Sequence, residues 1–399
     1  MERARTYIER PNHDPNHHKR TGPPEAGSTR GWNDEAWSFG LRPSATRSAD
    51  GCGHLGLYRH RASRSMRILV VSNLYPPHYL GGYELACADV AKSLRGRGHQ
   101  VRVVTSMHGV AGPGESDGAA RFLDWRPDPR HGHWNSLRRQ WRNIRVLDAE
   151  IRSFRPDLVH VFNFSGLGIL TLSWLHAKAG VPVVHDISDL WLPTSAVGMD
   201  SGRNWILCDA HLPIWRQVKR GLRRRIEELN LDFSRSYTRS RFLTQLHERA
   251  GLCSDELPYI HHGIPFDSIP RRRDNGTGVV FCGRLDREKG VDHLLNACIA
   301  LAKGKTSLRL TLIGGGDAEF VEELRRSAAA APPELETRFL GKTPRDQALA
   351  EVASHAVYAF PVIWDEPFSI GLVEALAAGM PVVSTLTGGS PEILVHDKN

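Results

Sequence analysis

Several common signatures are missing from this sequence of 399 residues. Its six cysteines form no Cys-x-x-Cys pair, and a chain of this length does not need disulfides to hold its core, so we expect reduced thiols. No apolar run reaches the roughly eighteen residues that a membrane-spanning helix needs. The N-terminus carries charged residues and no apolar segment, so we expect no secretory signal. These absences predict a cytoplasmic protein without transmembrane helices.

Two ligand-binding motifs are missing as well. No Gly-x-Gly-x-x-Gly stretch follows the first predicted strand, 67–72, which argues against a nicotinamide-dependent dehydrogenase. No Asp-x-Asp metal motif stands in a suitable context, and His13, His17 and His18 lack partners at metal-ligand spacing, so we predict no metal and no cofactor. The net charge of +8 comes without a nucleic-acid motif, so we do not expect a nucleic-acid partner.

The length favours two domains, since one core rarely holds so many residues. Residues 1–65 are rich in Arg, His, Pro, Gly and Ser and have no sustained period, which predicts a disordered basic tail. Met66 begins a sequence of different character. We place an N-terminal domain at 66–255, a linker at 256–276 and a C-terminal domain at 277–399.

Short apolar runs alternate with helical patterns through both domains. The predicted strands are 67–72, 101–105, 157–162 and 181–185, then 278–283, 308–313, 338–340, 357–360 and 381–384. Such alternation predicts an α/β fold with parallel sheets and right-handed crossovers. We therefore expect two Rossmann-like domains facing a central cleft, with ligands beyond the carboxyl ends of the strands.

The segment after 357 carries two glutamates near a predicted helix. Glu366 precedes Pro367, and proline is favoured at the first helical position, so we predict a helix over 368–378. On such a helix Glu374 would lie roughly 12 Å beyond Glu366. The two carboxylates could grip the two ends of an extended ligand, with a phosphate at the helix N-terminus.

A second segment, 283–290, reads GRLDREKG and lies between an apolar strand and a helix. We expect Arg284 and Lys289 to converge there on one anion, Arg as a bidentate fork and Lys as a point charge. Cations beside a pyrophosphate would stabilise a leaving nucleotide. The glycine run at 314–316 is either a simple strand-to-helix turn or a place where backbone approaches the nucleotide.

These stretches resemble the retaining family 4 glycosyltransferases of the GT-B fold. The family's Glu-x7-Glu motif and its following Ala-x-x-Gly-x-Pro-Val-Val run are matched by EPFSIGLVE and AAGMPVVST. Its Gly-Arg-Leu-x-x-x-Lys-Gly and Pro-Pro-x-x-Gly-Gly-x-Glu stretches are matched by GRLDREKG and PPHYLGGYE. The resemblance covers 66–399 and is strongest after 278. It implies an N-terminal acceptor domain and a C-terminal donor domain.

The resemblance also implies a donor site at seven positions: Gly82, Arg284, Lys289, Phe368, Ser369, Ile370 and Glu374. Glu374 would bind the ribose hydroxyls, and Arg284 and Lys289 would hold the diphosphate. Backbone amides from Phe368 to Ile370 would contact the donor sugar. Gly82 would let backbone approach the phosphates or the acceptor.

Two residues are implied as catalytic. Glu366 would contact the donor sugar, and His185 resembles the family's cleft histidine near the reacting centre. The implied enzyme is a metal-independent hexosyltransferase that moves a hexose from a nucleotide-diphosphate sugar to a hydroxyl of a glycan, lipid-linked or small-molecule acceptor, with retained configuration. A bacterial polysaccharide pathway is the setting we expect. A non-hydrolysing sugar-nucleotide epimerase and a catalytically silent fragment of the same fold stay as alternatives.

The sequence departs from the family at three places. Phe162 and Asn163 stand where the family often has a second histidine after the strand of His160. The family's interdomain Asn-Gly is His262-Gly263 here. The family usually continues beyond the last residue of this chain, so we expect an incomplete C-terminal domain.

Residues 204–231 combine apolar positions such as Trp205 and Trp215 with the basic run 219–225. One interpretation is an amphipathic helix lying on anionic lipid, which would place the protein peripherally at the inner face of a membrane. The other is a solvated basic helix whose apolar side packs in the core.

Overall fold

The computed structural model of the protein describes residues 64–125, 133–189, 231–249, 257–273 and 276–396. The predicted disordered tail lies outside these residues except for Arg64 and Ser65. The predicted membrane-contacting segment, 204–231, lies outside them except for Leu231. No helix in the described ranges is long and apolar enough to cross a membrane.

Seven strands form the N-terminal sheet of the described chain, in the order β3-β4-β2-β1-β5-β6-β7. They are β1 Arg67–Val71, β2 Gln100–Ser106, β3 Gly114–Ser116, β4 Ala119–Leu123, β5 Leu158–Val161, β6 Val183–Ile187 and β7 Tyr237–Thr238. Neighbours are parallel except for β3, which runs antiparallel to β4 at the edge. The short β3, β4 and β7 were not predicted from the sequence.

Both faces of this sheet are covered. Along β1, Leu69 and Val71 pack into one apolar cluster, whereas Ile68 and Val70 pack into another on the opposite face. This alternation follows from the period of two in a strand. The helices that the structure describes in this half are α1 Gly82–Gly96, α2 His133–Phe154, α3 Ile169–Lys178 and α4 Arg241–Arg249.

Five parallel strands form the C-terminal sheet, in the order β10-β9-β8-β11-β12 within the described residues. They are β8 Val279–Cys282, β9 Leu308–Ile313, β10 Leu335–Gly341, β11 Val357–Phe360 and β12 Val382–Ser384. The helices here are α5 Val291–Lys303, α6 Ala318–Ala329, α7 Arg345–Val352 and α8 Ile370–Ala377. Val280 and Phe281 of β8 enter different apolar clusters, so this sheet is covered on both faces too.

The predicted α/β fold with two parallel-sheet halves is confirmed. Two local predictions were wrong. The last helix begins at Ile370 and not at 368, because Ser369 caps it through a side-chain oxygen that accepts from the Leu372 N–H at 3.2 Å. Strand β6 starts two residues later than predicted, which places His185 at its centre. The chain crosses between the sheets after β7 and before β8, where the predicted linker lies; the domain limits stay a prediction.

Candidate functional site

The site forms where β8, β9 and β11 end, because these strands are neighbours and parallel. Gly290 ends the loop after β8 in the left-handed region, with φ of 65°. A Cβ at Gly290 would lie 2.0 Å from the Pro361 carbonyl oxygen. Only glycine permits this close approach, which brings the loop after β8 against the end of β11.

Lys289 and Glu366 meet at this junction. The Lys289 Nζ forms an ion pair with Glu366 Oε2, and both side chains are largely buried. Trp364 donates its indole N–H to the same oxygen at 2.7 Å, and its ring lies 5.4 Å from Lys289 Nζ. The structure thus brings together one predicted donor-binding residue and one predicted catalytic residue. Trp364 was not predicted as part of the site.

The backbone of Glu366 is fixed by a glycine pair. Gly389 donates its N–H to the Glu366 carbonyl at 2.8 Å. Gly388 has φ of 56°, and a Cβ there would lie 2.2 Å from the Glu366 carbonyl oxygen. The loop after β12 therefore presses against the residue that carries the site carboxylate.

Arg284 lies in the same loop as Lys289 but is more exposed. Its side chain is 52 % exposed and pairs with Asp286 at 3.1 Å. Asp286 also accepts from the Lys289 backbone N–H at 3.1 Å, which caps the short turn Arg287–Lys289. Lys289 and Arg284 therefore have different carboxylate partners, Glu366 and Asp286. The guanidinium of Arg284 lies at the solvent-exposed rim of the site.

The glycine run 314–316 has a packing role. A Cβ at Gly314 would lie 1.8 Å from the Gly283 carbonyl oxygen, and one at Gly316 would lie 1.9 Å from that of Leu285. Leu285 donates its N–H to the Gly315 carbonyl at 2.8 Å. Glycine is needed at 314 and 316 because the backbone of the loop after β8 lies directly against them. These contacts within the protein account for the glycines and favour the interpretation as a simple strand-to-helix turn.

Glu374 lies on α8 and is held by an arginine. Arg345 Nε donates to Glu374 Oε1 at 2.7 Å, and Nη2 lies 2.6 Å from the same oxygen. Burial raises the pKa of the Glu374 carboxyl, and the charge of Arg345 acts in the opposite direction. Gly371 lets α8 come close to the sheet, because a Cβ there would lie 3.0 Å from the Tyr358 hydroxyl. Arg345 was not predicted as a site residue.

The two halves touch beside these residues. A Cβ on Gly82 would lie 3.1 Å from Ile370 Cδ1, so the predicted Gly82 loop packs on the start of α8. Lys342 Nζ donates to the Tyr79 carbonyl at 3.3 Å and lies 5.0 Å from the Tyr79 ring. The loop before α1 therefore lies against the C-terminal half. Glu84, also in the predicted loop motif, accepts from the Gly81 N–H at 3.0 Å and caps α1.

Phe368 also lies near the junction of the halves. Its ring stacks on His261, with centroids 5.2 Å apart. The neighbouring Pro367 carbonyl accepts from the Ser240 hydroxyl at 2.7 Å. The backbone of 367–370 is thus positioned from both halves.

His185, the second predicted catalytic residue, lies in β6. Its ring is fully buried in the N-terminal core, with Nε2 2.8 Å from His176 Nε2 and the Phe233 ring 5.1 Å away. Burial lowers its pKa well below the usual value. The strand ends two residues later, at Ile187, so the side chain lies inside the sheet layer and not at its carboxyl edge. Its catalytic role stays a prediction, and the ring is buried in this structure.

A buried polar cluster occupies the carboxyl end of β6 instead. Arg239 forms an ion pair with Asp186, and its Nε donates to Asp186 Oδ1 at 3.0 Å. Tyr237 donates its hydroxyl to Asp186 Oδ2 at 3.2 Å. The Tyr83 hydroxyl of α1 donates to the Asp186 carbonyl and accepts from the Ser188 N–H at 3.3 Å. This cluster ties α1 to β6, next to Gly82.

His262 lies close to these charges. It is 5 % exposed, and neither ring nitrogen has a hydrogen-bond partner among the described residues. Burial first, and then the charge of Arg239, lowers its pKa to about 4, so the ring is neutral at physiological pH. One signal in the sequence pointed to this residue, namely the departure from the family's Asn-Gly at 262–263.

Among the described residues, no group of three or more His, Cys, Asp and Glu side chains is arranged to hold a metal ion. Positive charge at the carboxyl edge of the C-terminal sheet comes from the side chains of Lys289 and Arg284. Together with the buried carboxylates Glu366 and Glu374, they form a polar edge suited to a ligand that carries both negative charge and hydroxyls.

This architecture, two parallel α/β sheets with polar residues at their carboxyl edges, is that of the GT-B glycosyltransferases. The family model described as Glycosyl transferases group 1 matches residues 267–399. The model described as Glycosyl transferase 4-like domain matches residues 81–234. Together the two matches span more than half of the chain, and the chain belongs to this family of glycosyltransferases.

Individual relatives agree with this assignment. The chain is 24 % identical over 357 residues to a glycogen synthase of Mycobacterium tuberculosis, covering 83 % of the chain and 80 % of the relative. It is 28 % identical over 247 residues to a GDP-mannose-dependent phosphatidylinositol monomannoside mannosyltransferase of the same species, covering 54 % and 62 %. The structure of Anabaena HepE in complex with UDP-glucose matches with a TM-score of 0.60 at 19 % identity, over 83 % of each chain.

Proposed function

We propose that the protein is a retaining hexosyltransferase that uses a nucleotide-diphosphate sugar and a hydroxyl acceptor on a glycan, a lipid-linked carrier or a small molecule. The observation that carries this proposal is the Lys289–Glu366 pair at the carboxyl edge of the C-terminal sheet. It joins a cation suited to a diphosphate with a carboxylate suited to sugar hydroxyls. Two relatives support the donor class, since one is named for GDP-mannose and the other was solved with UDP-glucose.

The roles follow from charge and position. Lys289, with Arg284 at the rim, holds the diphosphate and stabilises the negative charge that grows on the leaving nucleotide. Glu366 accepts hydrogen bonds from hydroxyls of the donor sugar, and backbone amides of 368–370 help to orient it. Glu374 accepts from the ribose hydroxyls. These side chains do the work of charge neutralisation without a metal ion.

The transfer step needs no protein nucleophile. The bond between the anomeric carbon and the diphosphate oxygen breaks, and the acceptor hydroxyl forms the new bond on the same face. The hydroxyl proton passes to the leaving phosphate oxygen. His185 is left out of this scheme because its ring is fully buried in the N-terminal core.

Incubation with a panel of nucleotide sugars tests the proposal. We expect release of one nucleotide diphosphate, slow with water and faster with a hydroxyl acceptor. Glu366→Gln should lower this release by about tenfold or more, since a neutral amide replaces the site carboxylate. Glu323→Gln is the matched control, because Glu323 pairs with Arg287 on the outer surface.

Two results would contradict the proposal. Interconversion of two sugar nucleotides without an acceptor would show an epimerase. Failure of every nucleotide to bind would show a silent member of the fold.

A further inference from the structure

Arg345 lies between carboxylates that belong to different halves of the protein. From α7 it reaches Glu374 on α8, with Nε 2.7 Å and Nη2 2.6 Å from Oε1. On its other side, Nη1 donates to Asp89 Oδ2 at 2.8 Å. Asp89 lies on α1 of the N-terminal half. One guanidinium thus joins the predicted ribose-binding carboxylate to the opposite half.

The three side chains are shielded from water. The Glu374 side chain is 11 % exposed, and those of Arg345 and Asp89 are each 22 % exposed. A carboxylate this buried is costly without a charged partner. Arg345 is that partner in the structure: its Nε donates a hydrogen bond to the Glu374 carboxylate, and its Nη1 donates to Asp89.

We propose that Arg345 is a positioning residue that keeps Glu374 ionised and oriented for the donor ribose, and that Asp89 orients the Arg345 guanidinium from the N-terminal half. The inference rests on the proposed function, in which Glu374 accepts the ribose hydroxyls. Both contacts from Arg345 are to Oε1, which assigns Oε2 to the ribose. An ionised carboxylate accepts at both oxygens, whereas a protonated one carries a hydroxyl donor on one of them.

A consequence follows for how the two halves cooperate. Asp89 lies on the same helix as Gly82, whose loop packs on Ile370 at the start of α8. Nucleotide affinity therefore depends on Asp89, a residue of the N-terminal half. Movement of α1 away from the C-terminal half would remove Asp89 from Arg345 and weaken the donor site.

Calorimetry with UDP, GDP and ADP tests the inference on the full chain. The nucleotide that binds most tightly is compared with its 2′-deoxy form on the wild type, Glu374→Gln, Arg345→Met and Asp89→Asn. We expect Glu374→Gln and Arg345→Met to lose about tenfold in affinity for the ribonucleotide and little for the deoxy form. Asp89→Asn should lose about threefold, in the same selective way.

Two surface variants serve as matched controls. Arg338→Met removes an arginine that pairs with Glu351, and Asp148→Asn removes an aspartate that pairs with Arg152. Both should bind as the wild type does. If Arg345→Met does not fold, Arg345→Lys keeps the charge without the fork, and an intermediate loss of ribose selectivity is expected.

A pH profile separates positioning from a merely structural role. Burial raises the pKa of the Glu374 carboxyl, Arg345 opposes that rise, and the negative charge of Asp89 adds to it, so removal of Arg345 raises the pKa further. In Arg345→Met, ribonucleotide affinity should therefore begin to fall at a higher pH than in the wild type as the solution is acidified. The deoxy form should show a weaker dependence in both proteins.

The outcomes distinguish two failures. If Glu374→Gln loses ribose selectivity but Arg345→Met and Asp89→Asn keep wild-type affinity and pH profile, the positioning role is wrong and the proposed function stands. If Glu374→Gln keeps its selectivity, or if no nucleotide binds, the ribose assignment fails and the inference falls with it.

Discussion

Lys289 and Glu366 are 77 positions apart in the sequence, yet their side chains form an ion pair at the carboxyl edge of the C-terminal sheet. Their contact depends on sheet order, since β8 and β11 are direct neighbours. Gly290 then permits the loop after β8 to lie against Pro361. These contacts hold the positive charge of Lys289 next to the negative charge of Glu366.

Gly388→Ala tests how Glu366 is positioned. The new Cβ would clash with the Glu366 carbonyl at 2.2 Å and would also strain the left-handed backbone. We expect a loss of roughly 1–2 kcal/mol in stability together with a loss of donor turnover. The measurements are urea unfolding and nucleotide release.

Gly379→Ala is the matched control for this change. Gly379 has φ of 78°, but a Cβ there meets nothing within 4 Å. It should lower stability by a similar backbone strain and leave turnover per folded molecule unchanged. Equal turnover in the two variants would contradict the positioning of Glu366 by Gly388.

Much of this arrangement could be predicted from the sequence. Apolar runs such as 308–313 and 357–360 coincide with the observed strands, because buried parallel strands need continuous apolar segments. The start of α8 could not be read correctly, since Pro367 and Ser369 both carry helix-start signals and the side-chain cap of Ser369 prevails.

Contacts between segments that are distant in the sequence could not be predicted. Nothing near Arg345 marks it as the partner of Asp89, since that pairing exists only when α1 and α7 face each other. The setting of His185 is a second example. The sequence predicted this residue at the end of a strand, whereas β6 continues to Ile187 and places it at the centre of the strand.

Substitution of His185 should affect folding more than catalysis. His185→Leu leaves His176 without its imidazole partner in a buried site, so we expect a loss of roughly 1–3 kcal/mol. Turnover per folded molecule should stay within about threefold of the wild type. The double variant His176→Leu, His185→Leu should recover part of the stability, because no buried nitrogen is then left unpaired.

Chemical unfolding and initial rates on the same preparations check this prediction. A His185→Leu protein that melts as the wild type does but loses about a hundredfold in turnover would restore the catalytic role. A double variant that is less stable than either single variant would contradict the pairing argument.

Acid should destabilise the protein in part through His262. Its pKa is about 4 in the folded protein, whereas an unperturbed histidine has a pKa of about 6.5. Between these values the unfolded chain binds more protons, so stability falls as pH drops from about 6.5 towards 4. The contribution is roughly 1–3 kcal/mol.

Unfolding free energies of wild type and His262→Asn between pH 7.5 and 4.5 measure this contribution. The variant should show a smaller decline. Some decline should persist, because burial also lowers the pKa of His160 to about 4. Parallel curves for the two proteins would contradict the assignment to His262.

Binding to anionic membranes should depend on the arginines at 223–225, if the segment 204–231 is a lipid-contacting helix. We expect co-sedimentation with vesicles that contain anionic lipid, and its loss on replacement of these arginines by glutamine. Each cationic side chain near such a surface contributes about 1 kcal/mol. Co-sedimentation that is unchanged by the replacements would contradict lipid contact through these arginines.

Calorimetric titration of Lys289→Met with nucleotide diphosphates tests the central claim most directly, because Lys289 is assigned to the diphosphate. The wild type should bind one diphosphate more tightly than the corresponding monophosphate. Lys289→Met should lose about tenfold in diphosphate affinity and most of this preference. Lys305→Met, which removes an exposed lysine paired with Glu334, should bind as the wild type does. Equal diphosphate affinity in Lys289→Met and the wild type would contradict a donor site at the carboxyl edge of the C-terminal sheet.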